Sequence, residues 1–202
     1  MIRTGGSTQD LSRLLKCASD FLEYRTSQDQ LAVPNVVERC SRWVPPPGNH
    51  FKFNFDAAIF QEIPASRFRA IIQNEKGEVM ASFLARGPPI ADSEEAKILA
   101  CRKALEFVVD TGSTDTVVEG DNTMVMNSIS SSWTAYSRLG HLYEDVKCMA
   151  AGISNLTMNC VGHTANSAAH SLACYAKNID DKIVWLENSP PPSLKALYFD
   201  NS

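Results

Sequence analysis

Phe51-Lys-Phe-Asn-Phe-Asp-Ala-Ala-Ile-Phe60 alternates apolar and polar side chains and carries a carboxylate at its sixth position. Alternation of period two is the pattern of a strand, with Phe51, Phe53 and Phe55 on one face and Lys52, Asn54 and Asp56 on the other. An aspartate beside such an apolar run is either solvated at a strand end or works with a metal or a base.

Reading outward, strands are expected at 50–60, 66–74 and 78–86. Asn74-Glu-Lys-Gly77 supplies a hairpin turn with glycine where a positive φ is needed. Gly87-Pro-Pro89 ends the third strand. Residues 92–110 read as a helix opened by Asp92 or Ser93, with Glu94 and Glu95 in the first turn to complement its dipole. A short strand, Thr116–Asp121, precedes helices at 122–130 and 136–151, a strand at 156–162 and a helix at 166–177. The order βββαβααβα implies an α/β fold with a five-stranded mixed sheet, three antiparallel strands followed by crossovers, flanked by helices.

Before this core, Leu11, Leu14, Leu15, Ala18, Phe21 and Leu22 recur at helical spacing, giving an amphipathic helix. Trp43-Val-Pro-Pro-Pro-Gly48 follows as an extended linker. The chain therefore divides into residues 1–43 (helix and linker), 44–180 (the domain) and 181–202 (a tail containing Ser189-Pro-Pro-Pro-Ser193).

The chain has 202 residues, net charge -4, 44% hydrophobic and 21% charged residues, and a pI of about 5.6. That argues against a bulk polyanion binder. Lys52, Arg67, Arg69, Lys76 and Arg86 on the leading strands read as an ordinary solvated face, or at most a modest basic patch. Six cysteines without a CxxC pair point away from zinc and from a disulfide framework. No signal-peptide core or membrane-crossing stretch is present, so cytosol or nucleus, without membrane association, is expected, with a monomer as the default.

Two further places carry chemistry. Asp121 ends an apolar strand just before a helix, where α/β sheets keep their sites. Asn166 and His170 lie four apart on one face of the last helix. Each also has a bland reading, as a cap or a partnered side chain.

Together, Trp43-Val-Pro-Pro-Pro-Gly, Lys52-Phe-Asn-Phe-Asp-Ala-Ala, Leu99-Ala-Cys-Arg-Lys-Ala-Leu-Glu-Phe107, Val118-Glu-Gly-Asp121 and Ala168-Ala-His-Ser-Leu-Ala173 resemble, in this order, the retroelement-derived, reverse-transcriptase-like ribonuclease H type-1 domain abundant in plants. The resemblance spans residues 43–200. It implies the RNase H-like fold, an RNA–DNA hybrid or other nucleic acid as partner, and endonucleolytic cleavage of the RNA strand. It also implies Mg²⁺ or Mn²⁺ held by four carboxylates, one ion activating water and the other stabilising the leaving oxygen.

Carried over, the first and third carboxylates are Asp56 and Asp121. The fourth position is His170, a residue that plant members often carry there, and His163 is placed as a proton carrier or an exposed loop residue. On this alignment Asp56, Asp121 and His170 are the candidate metal ligands, and one ion could be held by the three. The second carboxylate position holds Lys97, expected to salt-bridge Asp56. Glu94, one turn earlier, is the neighbour that could substitute, while Glu95 faces away. The resemblance thus implies a hybrid ribonuclease with little or no activity. The alternative is a non-catalytic domesticated retroelement domain acting in nucleic-acid or protein interaction.

Overall fold

A computed structural model of the chain describes residues 42–60, 62, 65–131, 137–170 and 182–186. The amphipathic segment at 8–25 lies outside these residues, as does most of the last helix beyond His170. Among the described residues no helix is long and apolar enough to cross a membrane.

Strands β1 (Phe51–Phe60), β2 (Ala65–Gln73) and β3 (Val79–Arg86) form an antiparallel meander. The β2–β3 turn is set by Asn74, whose side-chain oxygen accepts from the amides of Lys76 and Glu78 at 3.0 and 2.9 Å. Gly77 takes φ 76° there, a conformation that costs other residues a steric penalty. Helix α1 (Ser93–Thr111) is capped by Asp92, which accepts from the Glu94 amide at 2.9 Å. It returns the chain to β4 (Thr116–Gly120), parallel to β1. Helices α2 (Thr123–Ser130) and α3 (Gly140–Ala151) then lead to β5 (Leu156–Cys160), parallel to β4. Helix α3 begins at Gly140, later than the expected 136, because the turn Ser137–Leu139 precedes it and Leu139 caps it without a side-chain bond.

Among the described residues the sheet has six strands, in the order β5-β4-β1-β2-β3-β6, not five. The extra strand, β6 (Ile183–Leu186), pairs antiparallel with β3. It falls in the segment expected to be a tail. Its continuous apolar run, Ile-Val-Trp-Leu, is too short for periodicity to distinguish, and its strand character comes from the open edge of β3.

One face of the sheet carries the main core. Phe53, Phe55, Phe68, Ala70, Ile72 and Phe83 pack beneath Ile98, Cys101, Leu105 and Val108 of α1, with α2 and α3 closing the sides. Each such large side chain contributes about 1.5–3 kcal/mol on full burial. Phe53 and Phe83 each meet Phe107 edge to face, at 6.3 and 5.1 Å between centroids.

The opposite face departs from the expectation. Lys52, Arg67 and Arg69, read from alternation as solvated, are buried; of that set Lys76 and Arg86 alone are exposed. Ala168 and Trp185 pack on Ile71 and Val79 over this face. Trp43 is buried, with the Lys52 ammonium 5.3 Å from its ring centroid. Lys52 also donates to the Val44 carbonyl and pairs with Glu119 at 2.7 Å, and Asn54 donates to the other Glu119 oxygen at 3.1 Å. The Trp43-Val-Pro-Pro-Pro stretch is therefore a strap packed on β1 rather than a free linker. Alternation identified two faces, but it could not show that both are covered, which is what a mixed sheet with crossovers requires.

Candidate active site, with a lysine shared by two carboxylates and an arginine on one

The parallel pairing of β1 with β4 ends at Asn54 opposite Glu119. Two residues further along each chain, at the point where the strands diverge, stand Asp56 and Asp121. Both project into one cleft, so the register alone brings together carboxylates 65 positions apart. Gly120 permits this approach: a Cβ there would lie 2.5 Å from the Phe55 ring. From the second turn of α1, Lys97 reaches into the same cleft.

The Lys97 ammonium donates to Asp56 Oδ1 and, at 2.8 Å, to Asp121 Oδ1. The expected ion pair with Asp56 is thus present, and it is shared with Asp121. Glu94 does not take the missing carboxylate's place, because it is turned away and accepts from the Tyr143 hydroxyl at 2.6 Å. Burial and that carboxylate neighbour push the Tyr143 phenol above its usual range. Glu95 pairs with Arg138 at 3.0 Å.

Sequence reasoning missed Arg69. It sits directly opposite Asp56 in the β1–β2 register, so both side chains share a face. Its guanidinium donates to Asp56 Oδ2 and is completely buried. The signal available was the cross-strand pairing itself, since the hairpin at Asn74–Gly77 sets the register that places residue 69 against 56.

The histidines complete the cluster. Asn166, buried, donates to the Phe55 carbonyl at 2.9 Å and ties the start of the last helix to β1 beside Asp56. His170 follows one turn later, its Nδ1 3.3 Å from Asp56 Oδ2, and its own amide bonds to the Asn166 carbonyl. His163, in the turn after β5, has Nδ1 2.9 Å from Asp121 Oδ2. Cys160 is buried at the end of β5, its Sγ 3.7 Å from Thr123 Oγ1.

The four sequence-derived site residues, Asp56, Asp121, His163 and His170, therefore meet in one place together with Lys97 and Arg69. With neutral histidines the two aspartates and the two cations sum to zero, against about -4 for four carboxylates. Among the described residues no three His, Cys, Asp or Glu side chains converge to hold a metal ion. The residues present do not fit a pair of divalent ions. The oxygens that would bind them are already held by an ammonium and a guanidinium, which repel an incoming cation at short range.

Asp56 is almost inaccessible. Burial alone would raise its pKa, but Arg69 and Lys97 together outweigh it and hold the carboxyl below its usual value of 3.8. A depressed native pKa means that the unfolded chain binds more protons, so this contribution is full above about pH 3.8 and is lost as pH falls through the native value. The excess stability of wild type over Asp56→Asn should therefore shrink as pH drops below 3.8. Urea midpoints measured from pH 6 to pH 2.5 check this, and a constant difference would contradict it.

The fold defined by this sheet and its helices is the RNase H-like fold. An RNase H1 from the halophilic archaeon Halobacterium salinarum superposes with a TM-score of 0.56 at 21% identity, covering 63% of this chain and 96% of that one. LC11-RNase H1, solved in complex with an RNA/DNA hybrid, gives 0.54 at 15% identity, over 62% and 95%. The prototype foamy virus protease–reverse transcriptase gives 0.52 at 13% identity, over 74% of this chain and 23% of that one. A family model described as reverse transcriptase-like matches residues 54–176, and the chain belongs to that family. No curated protein sequence matches significantly.

Proposed function

We propose that the chain is an RNase H-like nucleic-acid-binding domain, its core at residues 44–180, in which two-metal hydrolysis of RNA in RNA–DNA hybrids has been reduced to little or nothing. The observation that carries this reading is the Lys97 ammonium shared by Asp56 and Asp121. Arg69 on the second oxygen of Asp56 supports it independently. A nucleic-acid partner is supported by the fold and by the LC11-RNase H1 complex with its hybrid. A Mg²⁺ or Mn²⁺ cofactor finds no support in the residues present.

Hybrid cleavage measured with Mg²⁺ and with Mn²⁺ should stay at background for wild type and for Asp56→Asn alike. Robust wild-type turnover that Asp56→Asn abolishes would refute the reading.

A second reading, a domesticated domain for protein interaction, is favoured by one observation: Lys52, Arg67 and Arg69 are buried, Lys52 paired with Glu119 and Arg69 with Asp56. Buried cations cannot meet phosphates, and phosphate contacts supply most non-specific affinity. Hybrid binding followed by anisotropy over a salt series separates the two. A measurable affinity that falls with salt supports the nucleic-acid role, and absence of binding at low salt supports the other.

A further inference from the structure

Each carboxylate of the cleft divides its two oxygens. Oδ1 of both aspartates faces Lys97, while Oδ2 of Asp121 faces His163 and Oδ2 of Asp56 faces His170. An ionised carboxylate has no hydrogen to give, so the Nδ1 that meets it carries the proton. In the neutral ring the lone pair is then on Nε2. Both imidazoles are exposed on the outer side of the cluster, 63% for His163 and 47% for His170. Their ring centroids are 4.3 Å apart, edge to face.

Two turns of chain produce this pairing. Successive i to i+3 bonds, Ala165 to Gly162, Asn166 to His163 and Ser167 to Thr164, wind the segment before the helix, and the His170 amide then bonds to Asn166. Residues 163 and 170 thereby fall on the same side, and Asn166 fixes the segment against β1.

We propose that His163 and His170 form a two-histidine site for a borderline transition ion, of which Zn²⁺ is the redox-inert representative, bound through both Nε2 atoms with Asp121 and Asp56 as orienting partners. Imidazoles that ligate such ions nearly always donate the other ring N–H to a carboxylate or carbonyl, which fixes the tautomer and raises basicity. Here both do so in the free chain. Nitrogens bound to one tetrahedral ion at about 2.0–2.1 Å stand roughly 3.3 Å apart, a spacing of the same order as the 4.3 Å between the ring centroids. Only two protein ligands are supplied, so the remaining positions are open to water or an incoming ligand.

This site differs in kind from one made of carboxylates. Imidazole suits Zn²⁺, Cu²⁺ and Ni²⁺, whereas Mg²⁺ prefers oxygen. Lys97 holds Oδ1 of both aspartates and Arg69 shares Asp56 Oδ2 with His170, so both carboxylates still accept from the imidazoles. The proposal does not depend on the loss of hydrolysis.

The test is calorimetric titration of tag-free protein with ZnCl₂. One ion per chain should bind, its affinity changed less than twofold by 10 mM Mg²⁺. His163→Gln and His170→Gln, both at exposed positions, should each weaken binding at least tenfold while leaving the circular dichroism spectrum unchanged. Asp121→Asn, which removes the orienting carboxylate of His163 and one partner of Lys97 but neither imidazole, should weaken it by about 10-fold or more. Cu²⁺-loaded protein should show hyperfine coupling to two imidazole nitrogens, reduced to one in either histidine variant. Zinc affinity unaffected by replacing both histidines, displacement by an equal concentration of Mg²⁺, or no binding at all would each overturn the site.

Discussion

Asp56→Ala should destabilise the fold by about 3–5 kcal/mol, the cost of removing one partner from a buried ion pair. The sign is what matters. In a metal-free site built from several carboxylates, deleting one relieves like-charge repulsion and leaves the protein as stable or more so. Here Asp56 is the acceptor for Arg69, Lys97 and His170 together. Its loss removes the Asp56 carboxylate from a fully buried guanidinium. Guanidinium denaturation of wild type and Asp56→Ala decides the matter, because an unchanged or higher midpoint would show that the cluster does not hold the structure together. Asp56→Asn should cost less, since the amide oxygen still accepts one hydrogen bond from Arg69.

The same contrast separates what could be read from the sequence and what could not. Features set by neighbouring residues were legible: the alternation that made β1 a strand, the Asn74–Gly77 turn, the Asp92 cap of α1, and the alignment that placed Lys97 beside Asp56. Asp121 was legible too, because a charged residue at the end of an apolar strand is itself a local signal. Arg69 was not. Alternation puts it on the face of Lys52 and Asp56, and local pattern reads that face as solvent. It is buried on a face that Ala168 and Trp185, about a hundred residues further on, help to cover by packing on Ile71 and Val79. The Lys52–Glu119–Asn54 network was hidden for the same reason, its partners being 65 or more positions apart. Strand β6 was missed because its pairing exists only where β3 offers an open edge. Charge balance was legible only within the aligned motif, where Asp56 and Asp121 face Lys97 alone, and the arginine that brings the sum to zero came from a cross-strand register.

Lys97→Glu should create Mg²⁺ binding that wild type lacks. The exchange removes an ammonium lying within bonding distance of both aspartates and moves the cluster from a net of zero to -2, with Arg69 the one remaining cation of the four charged groups. For a charge about 4 Å away at an effective dielectric near 20, the interaction is about 4 kcal/mol per unit of ion charge, first as repulsion and after the exchange as attraction. Without metal the variant should be less stable than wild type, since three carboxylates then share one guanidinium. Added Mg²⁺ should recover part of that loss. At ten times its dissociation constant a ligand specific to the folded state adds about 1.4 kcal/mol, or roughly 3–6 °C in Tm for a chain of this size. Wild type should show no shift at the same Mg²⁺ concentration, and adding Arg69→Gln to the variant should lower the Mg²⁺ concentration at which the shift develops. Hybrid cleavage is the more demanding readout, because it needs two correctly spaced ions, whereas thermal shift needs only one. A Tm of Lys97→Glu that is indifferent to Mg²⁺ would show that the lysine is not what keeps cations out, and would move the barrier to Arg69 or to the spacing of the strands themselves.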